Sequence, residues 1–282
     1  MLAAFTGTFS GNPRKWWSTT LWNGGAVGAR MVTASEAVAS ARRITALTGA
    51  GVSTASGLPD FGSPTAAALL DPDLTDPEAR RTTWRARLDH PVWTASPNAA
   101  HRALVDLERS GRLRALLTQN VDGLHQRAGS TSVVELHGSI HGVRCVACDA
   151  RTPMTDTLAR ARRGETDPMC LTCGGVLRST TVSFGEPLDS AVLRTARTAV
   201  LDCDLLLVAG TSLLVAPAAD LVGLAARAGA SVVLCNAEPT PFDASATAVV
   251  RDPVAHSLPA LVAVPVIESD RPVRTWGDPS TW

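Results

Sequence analysis

Short apolar runs ending in Gly, Asn or Ser, each followed by residues at helical spacing, recur along this 282-residue chain and narrow it to one broad architecture. Ile44–Thr48, Leu113–Thr118, Val133–Leu136, Leu205–Ala209 and Ser231–Cys235 read as strands, and Ser35–Arg43, Asn98–Arg109 and Ala216–Ala228 as helices. Strand and helix in alternation are the mark of a mostly parallel sheet. A strand covered on both faces must be apolar on both, and Leu205–Ala209 is. The expected fold is α/β, with helices on both faces of the sheet.

The alternation breaks twice. Residues 61–97, with Pro64, Pro72, Pro77, Pro91 and Pro97, read as a helical or loop insertion, and 139–181 holds four of the six cysteines. These insertions are expected to form a smaller zinc-binding and helical domain beside a discontinuous main domain of 31–60, 98–138 and 182–265. Residues 1–30 have no steady period and read as an extension, with Met31 as an alternative start. The polar, Pro-containing tail 266–282 is expected to be loosely ordered.

Charge carries little information about partners. With 26 basic and 26 acidic residues there is no one-sided field of the kind that binds nucleic acid or a membrane surface. The apolar stretches 199–218 and 221–235 are interrupted by Asp202, Asp204, Asp220 and Arg227, so neither offers about twenty clean apolar residues to a bilayer. Arg14 and Lys15 follow the first apolar residues, the reverse of a secretory signal. A cytoplasmic location is expected.

Cys145-x2-Cys148 and Cys170-x2-Cys173 are separated by twenty-one residues. Two residues between thiolates let a tight turn aim both sulfurs at one ion, and two such knuckles complete a tetrahedral site. Four cysteine ligands leave no position for water or substrate, so the zinc is structural. Disulfides are the competing reading, and a cytoplasmic location argues against them. Cys203 and Cys235, in or beside strands, read as small buried apolar residues.

Thr48 to Gly57, directly after the first strand, contains Gly49, Ala50, Gly51 and Thr54. Glycines there let backbone approach a pyrophosphate, with a helix N-terminus to follow. Thr54 stands at the third glycine position of a dinucleotide fingerprint, and a plain tight turn is an equal reading of this segment alone. Gly210-Thr211-Ser212 and Asn236-Ala237-Glu238 end two further strands, and the carboxyl ends of a parallel sheet border the ligand crevice. Together the three favour a dinucleotide. Gln119-Asn120-Val121-Asp122 and Glu135-Leu136-His137 bring amides, carboxylates and an imidazole to the same edge. A histidine there can act as a general base, although His125 or His137 taken singly reads as structural.

Gly49–Phe61, Thr118–His125, Glu135–Gly138, the four cysteines, Val182–Glu186, Gly210–Ser212 and Asn236–Glu238 together resemble the sirtuin family, in order and spacing, across about 45–260. The resemblance implies a Rossmann-like domain holding NAD, a structural zinc, and acyl-lysine protein substrates that enter between the domains. By position, Gly49, Ala50, Gly51, Thr54, Asp60 and Phe61 would line the cofactor loop. Gln119, Asn120, Val121 and Asp122 would hold the nicotinamide ribose end, and Gly210, Thr211, Ser212, Asn236, Ala237 and Glu238 the adenosine half. Val182, Phe184, Gly185 and Glu186 would offer backbone to the peptide. In the family mechanism the acyl oxygen attacks the ribose carbon as nicotinamide leaves. His137 is then the base on a ribose hydroxyl, with Asn120 and Asp122 completing the catalytic set.

Two departures stand out. Gly62 replaces the Arg that usually follows Pro-Asp-Phe in the family, and Trp84-x2-Arg87 matches only the Arg of the Tyr-x-x-Arg pair found in desuccinylating members. Besides lysine deacylation, mono-ADP-ribosylation, NAD hydrolysis and, because of Gly62, a weakly active or non-catalytic NAD-binding role are the alternatives.

Overall fold

The computed structural model describes residues 32–59 and 70–265. Expectations for 1–31 and 266–282, and for Asp60, Phe61 and Gly62, lie outside the described residues.

Nine strands are described: β1 (Ile44–Thr48), β2 (Leu113–Thr118), β3 (Val133–Glu135), β4 (Gly142–Cys145), β5 (Arg151–Pro153), β6 (Leu177–Ser179), β7 (Leu205–Ala209), β8 (Ser231–Cys235) and β9 (Ala248–Val250). Six of them form one sheet in the order β3-β2-β1-β7-β8-β9, every pair parallel. The chain fills one side of β1 and then crosses to β7 on the other, so the strand order reverses at the β1–β7 pair. That reversal opens a crevice at the carboxyl ends of the two strands.

The helices are α1 (Ala34–Ser40), α2 (Pro77–Leu88), α3 (Ala99–Arg109), α4 (Leu124–Ala128), α5 (Met154–Arg162), α6 (Ser190–Asp202), α7 (Asp220–Arg227) and α8 (Val254–Val262). Ala37 and Val38 of α1, Leu104 and Leu107 of α3, and Leu258 and Leu261 of α8 pack on one face of the sheet with Ile44, Leu116 and Leu207. Ala196 and Val200 of α6, with Leu221, Val222 and Ala225 of α7, pack on the other against Leu117, Leu206 and Leu234. Leu205, Leu206 and Leu207 of β7 are fully buried, and each such side chain contributes about 1.5–3 kcal/mol.

Local chemistry sets the helix ends. Thr33 and Glu36 form a capping box at the start of α1, and Asn98 caps α3 through the Ala100 N–H. The expected helix over Ser35–Arg43 stops at Ser40, because the N–H groups of Arg42 and Arg43 donate to the Asp204 carboxylate instead of to the preceding turn. The expected helix over Ala216–Ala228 begins only at Asp220; Pro217 disfavours helical backbone at Ala216, the residue before it.

Residues 142–179 hold a second, antiparallel sheet in the order β5-β4-β6. Trp84 of α2 and Val92 share an apolar core with Ile140, Val143, Met154, Leu158 and Leu177. Arg80 of α2 pairs with Asp167 at 2.6 Å, so the two insertions are joined by a core and by an ion pair.

Candidate functional site

Because the large sheet is parallel, the loops after β1, β2, β3, β7 and β8 all leave from one edge. The loop after β1 turns through two short 3-10 segments, Ala50–Val52 and Thr54–Ser56, rather than the regular helix expected there. Its glycines answer to the loop after β7. The Gly51 N–H donates to Gly210 O at 2.8 Å, and a Cβ added to Gly51 would lie 2.8 Å from Gly210 Cα. Gly210 has φ +61°, and a Cβ there would meet Val52 N at 2.5 Å, so neither position admits a side chain.

Asn120, Asp122 and Ser53 form one buried cluster. Asn120 Nδ2 donates to Gly49 O and to Ser53 Oγ, both at 3.1 Å, and Ser53 Oγ donates to Asp122 Oδ2 at 2.7 Å. The other Asp122 oxygen accepts the Leu124 N–H at 2.8 Å, while His141 Nε2–H donates to Asp122 O at 2.9 Å. Gln119 Nε2 donates to Thr211 Oγ1 at 2.9 Å, which ties the loop after β2 to that after β7. Ser53 and His141 escaped sequence reading: each has its partner on a distant segment, and the Ser inside the glycine-rich loop was the one local hint.

Asn120 Oδ1 is buried and has no hydrogen-bond partner. A buried acceptor left unpaired costs roughly 1–3 kcal/mol. It suits an O–H or N–H donor of a bound molecule, such as a ribose hydroxyl or a carboxamide, and so the residues present fit a nicotinamide dinucleotide.

His137, two residues past β3, is half-buried, and its Nδ1–H donates to Gln119 O at 3.0 Å. This fixes the tautomer and leaves the Nε2 lone pair as acceptor. Burial pushes its pKa below the ordinary histidine value, partly offset by the bond to Gln119, so the ring is a neutral base at pH 7. His125 is a structural residue: it is 1% exposed, its Nε2 contacts Thr48 Oγ1 at 2.9 Å, and its ring packs at a tilt of 56° against that of His101, centroids 4.8 Å apart.

The remaining candidates lie on the rim. Thr211 is buried, while Thr54, Ser212, Ala237 and Glu238 are exposed. Asn236 Nδ2 donates to Glu238 O at 2.8 Å, and Arg251 Nη1 donates to both Asn236 O and Glu238 O at 2.8 and 2.7 Å. Arg251 thereby shapes this loop, a role invisible to local pattern. In the 182–186 segment the Val182 N–H donates to His137 O at 2.8 Å, Phe184 is 72% exposed, and Gly185 turns the chain at φ +83°. The Glu186 carboxylate faces inward onto Arg178. Arg87 is 1% exposed, paired with Asp71 at 3.0 Å and stacked over Trp84 at 5.1 Å.

The four thiols of Cys145, Cys148, Cys170 and Cys173 converge within 4.8 Å of one another. Zinc–sulfur bonds of about 2.3 Å imply tetrahedral edges near 3.8 Å. Separations of 3.5 Å for Cys145–Cys173, 3.7 Å for Cys148–Cys170 and 3.4 Å for Cys173–Cys148 fit such an ion. No helix among the described residues is long and apolar enough to cross a membrane.

Comparison with known proteins agrees with this geometry. A family model described as the Sir2 family matches residues 49–217. NAD-dependent protein deacetylase 2 of Streptomyces coelicolor is 49% identical over 228 residues, covering 77% of this chain and 95% of the relative. An NAD-dependent protein deacetylase of Sulfolobus acidocaldarius is 37% identical, covering 81% and 92%. The structure of Sir2Tm bound to a propionylated peptide superposes with TM-score 0.74 at 35% identity, covering 80% of this chain and 94% of that one. A Sir2 complex with a p53 peptide and NAD+ gives 0.72 at 34% identity, covering 80% and 94%. With its Rossmann-like sheet, its four-cysteine module and these likenesses, the chain belongs to the Sir2 family.

Proposed function

We propose that this protein is an NAD-dependent protein-lysine deacylase that transfers the acyl group to ADP-ribose and releases nicotinamide. The observation that carries the reading is His137: a neutral base with a fixed tautomer, joined through Gln119 and Val182 to both the dinucleotide edge and the 182–186 segment. NAD supplies the electrophilic ribose carbon that receives the acyl oxygen.

The contacts of the chain's own residues support the following roles. Asn120 offers its unpaired Oδ1 to the ribose or carboxamide, and Asp122, held by Ser53 and the Leu124 N–H, gives that end of the site a fixed negative charge. Gly49, Ala50, Gly51 and Thr54 line the cofactor loop among the described residues. Gly210, Thr211, Ser212 and the Asn236–Glu238 loop receive the adenosine half. Val182, Phe184 and Gly185 present backbone to an acyl-lysine peptide, edge to edge. His137 Nε2 removes a proton from a ribose hydroxyl, so that the oxygen can take up the acyl carbon. The zinc held by the four cysteines is structural.

Acidic acyl groups would need a cation, and Arg87 is already buried against Asp71. This supports an uncharged acyl group such as acetyl. We place the protein in the cytoplasm, a setting in which the buried Cys203 and Cys235 stay reduced.

Mass spectrometry of the products from NAD and an acetyl-lysine peptide tests the proposal. O-acetyl-ADP-ribose is expected. Free ADP-ribose with intact peptide, ADP-ribosylated protein, or no reaction would overturn it in favour of hydrolysis, transfer or a non-catalytic role.

A further inference from the structure

Arg178, the middle residue of β6, is 8% exposed and bridges two carboxylates. Its Nε donates to Asp71 Oδ2 at 2.9 Å, while Nη1 and Nη2 donate to the two Glu186 oxygens at 2.6 and 2.9 Å. Nη2 also reaches Thr181 O at 3.3 Å and Ser183 Oγ at 3.4 Å. The turn it holds is closed on itself: the Ser183 N–H donates to Glu186 Oε2 and the Glu186 N–H to Ser183 O, both at 3.0 Å.

Asp71 anchors the far side. Its side chain is 3% exposed, and its second oxygen accepts from Arg87 Nη2, from the Ser179 N–H and from Ser179 Oγ, each at 3.0 Å. A guanidinium bound along both edges has its plane fixed, whereas one bound along a single edge can swing. Buried ion pairs add little net stability over apolar packing, and their better attested use is to specify one arrangement. Here the arrangement specified is that of 182–186, whose first residue is bonded to the backbone of His137.

We propose that Asp71 is a positioning residue for the acyl-lysine peptide: through Arg178 and Glu186 it holds the 182–186 backbone in the shape along which the peptide pairs. The inference rests on the reading of 182–186 as the peptide edge. Asp71 itself touches no substrate, and Glu186 acts as a clamp rather than as a reader of the peptide.

Steady-state kinetics on the full chain test this, with peptide varied at saturating NAD and NAD varied at saturating peptide. Glu186→Gln should raise the peptide KM about tenfold, the loss of one charge-assisted contact, with much smaller changes in kcat and in the NAD KM. Amide exchange at Ser183 should quicken, and Glu186→Asp should recover part of the peptide KM. Asp71→Asn should act alike, and the double variant should be no worse than the worse single one. Because Asp71→Asn leaves two buried arginines short of counter-charge and can unfold the chain, the partly exposed Glu186→Gln carries the test alone. An active wild type with an unchanged peptide KM in folded Glu186→Gln, or an equal rise in the NAD KM, overturns the inference. A wild type without saturable peptide dependence overturns both the inference and the deacylase reading.

Discussion

Ser53 Oγ lies 2.7 Å from Asp122 Oδ2 and 3.1 Å from Asn120 Nδ2, so one hydroxyl both donates to the carboxylate and accepts from the amide. It joins the loop after β1 to the loop after β2 at a buried position, Ser53 being 2% exposed. Ser53→Ala removes both bonds and leaves the Asp122 oxygen short of a donor. A hydrogen bond to a charged group contributes about 1.5–3 kcal/mol, so kcat/KM for NAD should fall roughly ten- to a hundred-fold. Kinetics with NAD varied, on protein of verified fold, would show it; an unchanged kcat/KM would refute the link.

His137 governs the acid side of the pH profile. Burial lowers its pKa, so the neutral, proton-accepting form persists below the ordinary value of about 6.5. The acid limb of kcat/KM should therefore fall at a pH lower than a solvated histidine would give. His137→Ala should abolish deacylation while leaving NAD affinity within a few fold, because a base acts on the reaction more than on the ground state. Calorimetric NAD binding alongside product formation would check both halves.

The buried pair His101 and His125 makes stability depend on pH. Desolvation takes His101 to about 4 and His125 to about 3, both below the unfolded value of 6.5. Between these limits the unfolded chain binds the extra protons, so unfolding free energy rises with pH and stability is lost as pH falls below about 6.5. The loss should reach on the order of a few kcal/mol by pH 4. Urea melts at stepped pH would show the slope, and His125→Asn should flatten part of it.

Zinc removal should cost the smaller module its fold. Replacing any of Cys145, Cys148, Cys170 or Cys173 by Ala should release the metal and lower Tm, since structural zinc contributes folding free energy directly. Elemental analysis should find one zinc per wild-type chain and far less in each variant. Well-folded wild type without zinc would count against the site.

Much of this was legible in the chain itself. The bounds of β1, β2, β7 and β8 coincide with the mainly apolar runs; β7, buried on both faces, is apolar throughout, while Thr45 and Thr48 in β1 and the exposed Arg114 in β2 interrupt the record without hiding it. Val133–Leu136 ends one residue early, at Glu135. The long helix α6 left no strong record, since its buried face consists of Ala196 and Val200 and arginines stand at 194 and 197. β9 is three residues long, too short for a period to show. The Asn120, Asp122 and His137 positions were readable as strand ends, whereas Ser53 and Asp71 were not. Ser53 meets Asp122 across 69 residues and Asp71 meets Arg178 across 107, and no local spacing encodes a bond across such a gap.

The contact between Gly51 and Gly210 couples two parts of the chain that are otherwise read separately. Each glycine occupies the room that a methyl group on the other would need, so neither codon can drift alone. A designer who lengthens or replaces one loop inherits the backbone path of the other as a fixed boundary. Grafting the first loop from a relative therefore calls for carrying the second along with it, so that the two are exchanged as a matched set rather than as independent cassettes.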